Sequence, residues 1–340
     1  MGRNLEDLFI FIGKRFLQLL PVLFGIILLM FLITHIAAIN PCPRWYPKAS
    51  PQVLQNCRNE FAAPVLNQFW TYFTKLLSGN WGASQFGQPV FPVITQRFPA
   101  TLELVLASLF LMIFIGIPLG VIGAQYAGRW ADHLVRVLYL SGWSIPTYVG
   151  AIVAAIFLAP VLGLPSGHQF STTSVPFPQP THMSVIDAML AGNFPYTVDA
   201  LEHLILPAGV LAFIEMGNAT RMTRSAMLEV MPLEYVKSAR MKGLSNFIVM
   251  YKHALRNALI TATTVLGVTA GGLLAGTVVI EEVFSWGGIG AYAFQAMGVG
   301  GEPNFDGAIA VVIVFALGVV IANLIADILY GVLDPRVDWR

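Results

Sequence analysis

Charge is what this chain has least of. Asp, Glu, Lys and Arg make up 11% of its 340 residues, against 56% hydrophobic residues, and the mean hydropathy is +0.70. A soluble domain carries roughly twice that share of charge. A soluble globular protein is therefore excluded, and a polytopic membrane protein built as one helical domain is indicated. Catalytic signatures are missing too. There is no G-x-x-x-x-G-K-S/T loop to cradle phosphates, no H-E-x-x-H and no G-x-S-x-G. The six histidines (His35, His133, His168, His182, His203 and His253) lack metal-ligand spacing. Neither a catalytic residue nor a metal site is expected. Within the apolar runs the carboxylates are Glu215 and Asp327, with Glu103, Glu281 and Glu282 near their ends, and no Lys or Arg falls clearly inside. Ion-coupled carriers need buried charged groups as binding and relay sites, so an ATP-independent secondary transporter is the weaker alternative.

What is present is apolar length. Six runs, at 16–39, 102–125, 135–160, 204–220, 259–283 and 308–333, each approach the roughly 20 residues that cross a bilayer. The fourth is the shortest and is interrupted by Glu215 and Asn218. Placing the N-terminus in the cytoplasm puts Arg3, Lys14, Arg15, Arg129, Arg136, Arg221, Arg224, Lys237, Arg240, Lys242, Lys252, Arg256, Arg336 and Arg340 inside. The other basic residues, Arg44, Lys48, Arg58, Lys75 and Arg97, all fall in the first outer loop. This asymmetry predicts six spans with both termini cytoplasmic. The first apolar run follows Lys14-Arg15 and is longer than the core of a signal peptide, so an uncleaved span is expected. The chain then divides into a cytoplasmic segment 1–15, a first span 16–39, an extracytoplasmic loop or cap 40–101, a membrane core 102–333 and a cytoplasmic tail 334–340.

The first outer loop holds both cysteines, Cys42 and Cys57. An oxidising outer face would allow a disulfide between them; two unpaired thiols are the alternative. Its aromatic residues Trp45, Tyr46, Trp70, Tyr72 and Trp81 suit either a sugar or interfacial anchoring. A second outer loop, 164–203, rich in Pro, Ser and Thr, reads as irregular. Pro21, Pro118, Pro146, Pro160 and Pro207 sit inside spans, where they kink helices. Gly116, Gly120, Gly267, Gly271, Gly272 and Gly276 permit close helix approach.

The polar interruption between the fourth and fifth spans is the most informative stretch. Residues 234–245 read E-Y-V-K-S-A-R-M-K-G-L-S, continuing through His253-Ala254-Leu255-Arg256-Asn257. Its basic residues place the loop 221–257 in the cytoplasm. Two short helices, 233–242 and 245–255, are expected with Gly243 at the bend. Val236, Ala239 and Met241 alternate with Lys237, Arg240 and Lys242, a surface that fits a groove on a cytoplasmic partner or an anionic lipid surface.

This stretch resembles the version of the importer "EAA loop" found in the dipeptide, oligopeptide and nickel class of ATP-binding-cassette importers. Lys237-Ser238-Ala239 stand at the Glu-Ala-Ala positions and Gly243 at the glycine that follows. Further resemblance runs along nearly the whole chain, through 79–84 (G-N-W-G-A-S), 97–104 (R-F-P-A-T-L-E-L), 115–121, 144–146, 276–285 (G-T-V-V-I-E-E-V-F-S) and 323–336. The chain is similar to the first permease subunit of that class. Two places depart from the pattern: Gly287 stands where a proline is usual, and residues 298–307 are reshaped.

The resemblance implies an all-α type I importer permease fold in the inner membrane and alternating access between two permease subunits. Its implied partners are a second homologous permease, two ATP-binding-cassette ATPases, an extracytoplasmic solute-binding protein and the lipid bilayer, with no nucleic acid. This chain would bind no cofactor; ATP and Mg would sit on the ATPases. The ATPase-docking residues implied are Glu234, Tyr235, Lys237, Ala239, Arg240, Lys242, Gly243, Leu244, His253 and Arg256. Glu215, Asn218, Thr269 and Thr277 are candidates for the translocation path. Di- and oligopeptides rank first as cargo and oligosaccharides second, with nickel complexes also carried in this class.

Overall fold

The computed structural model describes residues 5–36, 42, 50–83, 88–171, 179–298 and 304–333, and these residues form helices and connecting turns with no extended strand. The elements in order are α1 (Leu5–Ile36), α2 (Pro51–Ala62), α3 (Val65–Leu77), α4 (Val90–Gln125), α5 (Trp130–Ser144), α6 (Thr147–Val153), a π-helical turn (Ala154–Leu158) and α7 (Ala159–Leu162). They continue with α8 (Ser184–Leu190), α9 (Phe194–Val230), α10 (Glu234–Met241), a second π-helical turn (Ile248–Ala254), α11 (Leu255–Val283), α12 (Ile289–Ala296) and α13 (Phe305–Leu333).

Four helices have the length and apolarity to cross a membrane, over Ile12–Leu32, Val90–Gln125, Phe194–Val230 and Asp306–Leu329. The pair Trp130–Ser144 and Thr147–Leu162 would make a fifth if it is one span, but it is bent by 102°. α11, at 29 residues, is about 43 Å long, more than a hydrocarbon core requires. The fourth expected span, the shortest apolar run, lies within the 37-residue helix α9. Likewise α4 begins at Val90, twelve residues before the expected second span.

Prolines explain the breaks. The residue before a proline is driven out of the helical region. Ile145 accordingly adopts φ −84°, ψ 121°, and Pro146 becomes the N-cap of α6. The expected kink in the third span is thus a full bend. Pro160 follows the π-helical turn Ala154–Leu158 within the same helical run, where the regular hydrogen-bond ladder is already interrupted. Pro21, Pro118 and Pro207 remain inside continuous helices.

The core lies where α4, α9 and α11 meet, with Leu104, Leu211, Leu273, Ile280, Phe284 and Trp286 all buried. Close approach needs small residues at the contact. A Cβ on Gly120 of α4 would strike Thr223 and the carbonyl of Thr220 on α9, so only glycine fits. Gly116, Gly267, Gly271 and Gly276 also face neighbouring helices, whereas Gly272 opens onto space.

Candidate coupling loop and translocation-path residues

α9 stops at Val230, and the Met231-Pro232 turn hands over to Leu233, whose extended φ −68°, ψ 148° makes it the N-cap of α10. Glu234 in the first turn and Arg240 in the last both oppose the helix dipole favourably. Lys237 Nζ donates to Glu234 Oε1 at 2.8 Å on the open surface. The helix ends at Gly243, whose φ of +75° is the left-handed conformation an L side chain resists. No atom lies within 4 Å of a Cβ placed there, so backbone conformation alone selects glycine. The second expected helix is not separate: beyond Ser245 the chain passes through the π-helical turn Ile248–Ala254 straight into α11.

The two faces of α10 do different work. Val236 and Ala239 are buried against Val121 and Ala124 of α4, Ala226 and Met227 of α9, and Val249, Met250 and Ala254 of the π turn. Sequence periodicity turned these residues toward a partner; the fold turns them inward. Of the three residues the periodicity grouped, only Met241 (79% exposed) faces out, joined by Leu233, Tyr235, Leu244, Phe247 (70% exposed) and Ile248. Phe247 stacks on Tyr251 at 4.6 Å between ring centroids. Lys237, Arg240, Lys242 and Arg256 are exposed around them, and His253 is half-buried.

One turn below, an ion cluster ties α9 to α5. Asp132, fully buried, accepts from Arg224 Nε at 2.7 Å and Nη2 at 2.8 Å, from Arg136 Nη2 at 2.6 Å and from the Gly128 amide at 2.9 Å. This bidentate pairing fixes orientation as well as charge. Sequence reading counted Arg136 and Arg224 only as topology markers and passed over Asp132; Arg136 lies four residues from it, but the Arg224 pairing spans 92. Arg221 makes a separate contact between the same two helices, 5.1 Å over the Trp143 ring.

On the opposite end, two glutamates near span ends are structural. Glu103 accepts from the Ser184 amide (2.8 Å), Ser184 Oγ (2.7 Å) and the Val185 amide (2.8 Å), and so caps α8. Glu281 accepts from the Ala291 amide at 3.1 Å, while Thr101 Oγ1 receives the Ile289 amide and Trp286 Nε1 donates to the Ala100 carbonyl. Together they hold α12 beneath the Trp286–Gly290 turn, where a Cβ on Gly288 would collide with Thr101 and Glu281.

Among the path candidates, Glu215 and Asn218 are half-buried on α9, one turn apart. Thr277 is fully buried and donates to its own helix at Leu274 O, 2.7 Å away, and Thr269 is buried too. Asp327 pairs with Arg15 at 3.3 Å, joining α13 to α1. Cys42 is disulfide-bonded; the side chain of Cys57, like Trp45 and Tyr46, lies outside the described residues. Among the described residues no His, Cys, Asp or Glu group is arranged to hold a metal.

Residues 116–339 match the family described as "Binding-protein-dependent transport system inner membrane component". The chain is 38% identical, over 95% of its length and 96% of the relative, to the "Probable D,D-dipeptide transport system permease protein DdpB" of Escherichia coli K12. It is 34% identical to the "Dipeptide transport system permease protein DppB" of Alkalihalophilus pseudofirmus, covering 96% of this chain and 98% of that one. The "Di/tripeptide transport system permease protein DppB" of Pseudomonas aeruginosa is 36% identical, with the same 96% and 98% coverage. In fold, the chain is similar to an inward-facing structure of the MetNI methionine ABC transporter, at TM-score 0.52 and 17% identity over 78% of this chain and 98% of that chain. By near-full-length relatedness and by fold, this chain belongs to the binding-protein-dependent transport system inner-membrane components: it is a multi-pass membrane permease subunit.

Proposed function

We propose that this chain forms half of the translocation path of a peptide importer and carries the contact through which ATPase subunits drive it. Six spans with both termini cytoplasmic, a second homologous permease, two ATPases holding ATP and Mg, and an extracytoplasmic solute-binding protein complete the assembly. One observation carries the coupling assignment: α10 is bolted by Val236 and Ala239 to the ends of α4, α9 and α11, while Tyr235, Met241, Leu244 and Phe247 project outward within a basic rim. A helix held in this way transmits a push on its outer face to three membrane helices, since packed interfaces shift as units. Glu215 and Asn218 are the residues proposed to face the path.

Peptide cargo is supported by the names of the DdpB and DppB relatives, all dipeptide or di/tripeptide permeases. The test is ATP hydrolysis by the reconstituted complex with its binding protein, across a panel of dipeptides, longer peptides and oligosaccharides. Stimulation by short peptides is the expected result. Stimulation by oligosaccharides alone would transfer the cargo assignment, and failure to assemble with any ATPase would overturn the coupling assignment.

A further inference from the structure

Helix α3 (Val65–Leu77), in the loop expected to form an outer cap, is divided into three stripes. The first faces protein: Phe69 and Leu76 are buried, Phe69 meeting Phe24 and Phe31 of α1 at 5.5 and 5.3 Å between centroids, and Leu76 packing with Ile309 and Ile313 of α13. The second is apolar and uncovered: Leu66, Trp70 and Leu77 are 67%, 50% and 71% exposed. At 100° per residue these three fall within about 40° of one another, beside Phe73, which also touches Phe24. The third is polar, formed by Asn67, Thr71 and Thr74.

Depth identifies what covers the second stripe. The apolar span of α1 is Ile12–Leu32 and that of α13 is Asp306–Leu329. At about 1.5 Å per residue, Phe24 lies about 12 Å below the Leu32 end and Ile313 about 10 Å below the Asp306 end. Half of a bilayer's hydrocarbon is about 15 Å thick. The anchors of α3 thus run from the ends of the apolar spans, at Phe31 and Ile309, down to hydrocarbon depth at Phe24 and Ile313, the range an interfacial helix occupies. The exposed stripe also continues the apolar surface of α1, where Leu17, Leu20 and Leu29 are open, and of α13, where Leu317, Ile321 and Ile325 are open. Its residues are large, whereas helix-to-helix contacts in membranes favour small ones. Its polar neighbours are partly self-satisfied: Thr74 Oγ1 donates to Trp70 O at 2.8 Å and Gln68 Nε2 to Ala63 O at 2.6 Å.

We propose that α3 is an interfacial membrane helix, its Leu66, Trp70 and Leu77 stripe buried among lipid acyl chains and its Asn67, Thr71 and Thr74 stripe turned to the headgroups. The leaflet is the one at the Leu32 and Asp306 ends, the outer one in the orientation proposed above, and the inference stands independently of cargo or coupling. Such a helix braces α1 against α13 from the lipid side.

The experiment places nitroxide labels at Leu66→Cys, Leu77→Cys and, as an aqueous reference, Asn80→Cys, in the complete complex in liposomes, with the unmodified complex as background. Relaxation by molecular oxygen and by a water-soluble nickel chelate is compared at each site. Oxygen effects severalfold above nickel at positions 66 and 77, and the reverse at 80, are expected. Nickel access equal to oxygen at 66 and 77 would make α3 part of an aqueous cap. Exclusion of both reagents would seat the stripe against another subunit, and either result overturns the proposal. Should the cysteine variants fail to assemble, quenching by brominated lipid provides the same decision. Native complex must lose more fluorescence than Trp70→Phe; equal losses reject lipid contact.

Discussion

Asp132 takes hydrogen bonds from two arginines and one backbone amide while fully enclosed. Arg224→Ala removes two of these bonds but leaves Asp132 paired with Arg136 and the Gly128 amide. It should lower the stability of the solubilised complex by about 1.5 kcal/mol, the scale of a hydrogen bond to a charged group, seen as a fall in its melting temperature. Arg224→Lys keeps the charge but loses the two-pronged bond, so its loss should be smaller. A melting temperature unchanged in both variants would show that α5 and α9 are held by packing alone. Gly243 poses a different residue-scale question, because nothing crowds it and only its φ of +75° is demanding. Gly243→Asn, which tolerates that region, should retain most peptide-stimulated ATP hydrolysis. Gly243→Val should lose most of it, at a local conformational cost of about 1–2 kcal/mol. Equal activity in the two variants would mean the turn is not needed to set the angle of α10.

At the scale of the element, α10 separates stability from coupling. Ala239→Phe forces a ring into a packed cluster and should destabilise the permease by about 1–3 kcal/mol, detectable as reduced melting temperature without any ATPase present. Met241→Ala lies on the exposed face and should leave melting unchanged while weakening pull-down of the ATPases several-fold. Reversal of this pattern would mean that the helix faces have been assigned the wrong way round. α12 and α8 depend on carboxylates from distant elements. Glu281→Ala would strand the Ala291 amide inside the core, a cost of about 1–3 kcal/mol. Increased proteolysis at the Trp286–Gly290 turn is the corresponding readout; unchanged digestion would show that the bonds of Trp286 to Ala100 and of Ile289 to Thr101 hold the turn without it.

Across the whole molecule, the long helices meet as a bundle whose two ends have different tasks. One end gathers the basic loop, the Asp132 cluster and the Arg15–Asp327 pair. The other gathers α3, α8 and α12, held by Phe69, Glu103 and Glu281, and Asp306, which receives the Ala83 amide at 3.2 Å. Much of this was legible in order of residues. The apolar runs predicted the long helices, the lysines and arginines singled out the loop, and Gly243 marked its bend. What stayed hidden shares one cause. Glu103 finds Ser184 81 residues on, and Ile289 finds Thr101 across 188. Periodicity reports which face of a helix is apolar, but not which neighbour takes that face. Hence Val236 and Ala239 read as a docking surface when they are core.

By itself, the sequence determined that this is a helical membrane protein with a polar loop set between long apolar segments, because the costs of burying charge and unpaired backbone in hydrocarbon leave few other ways to fold such a chain. Only the tertiary structure decided which side of the loop is free, where the third apolar run bends and which carboxylates hold the outer helices. Those outcomes depend on contacts between residues far apart in the chain, and they exist only once the helices have packed.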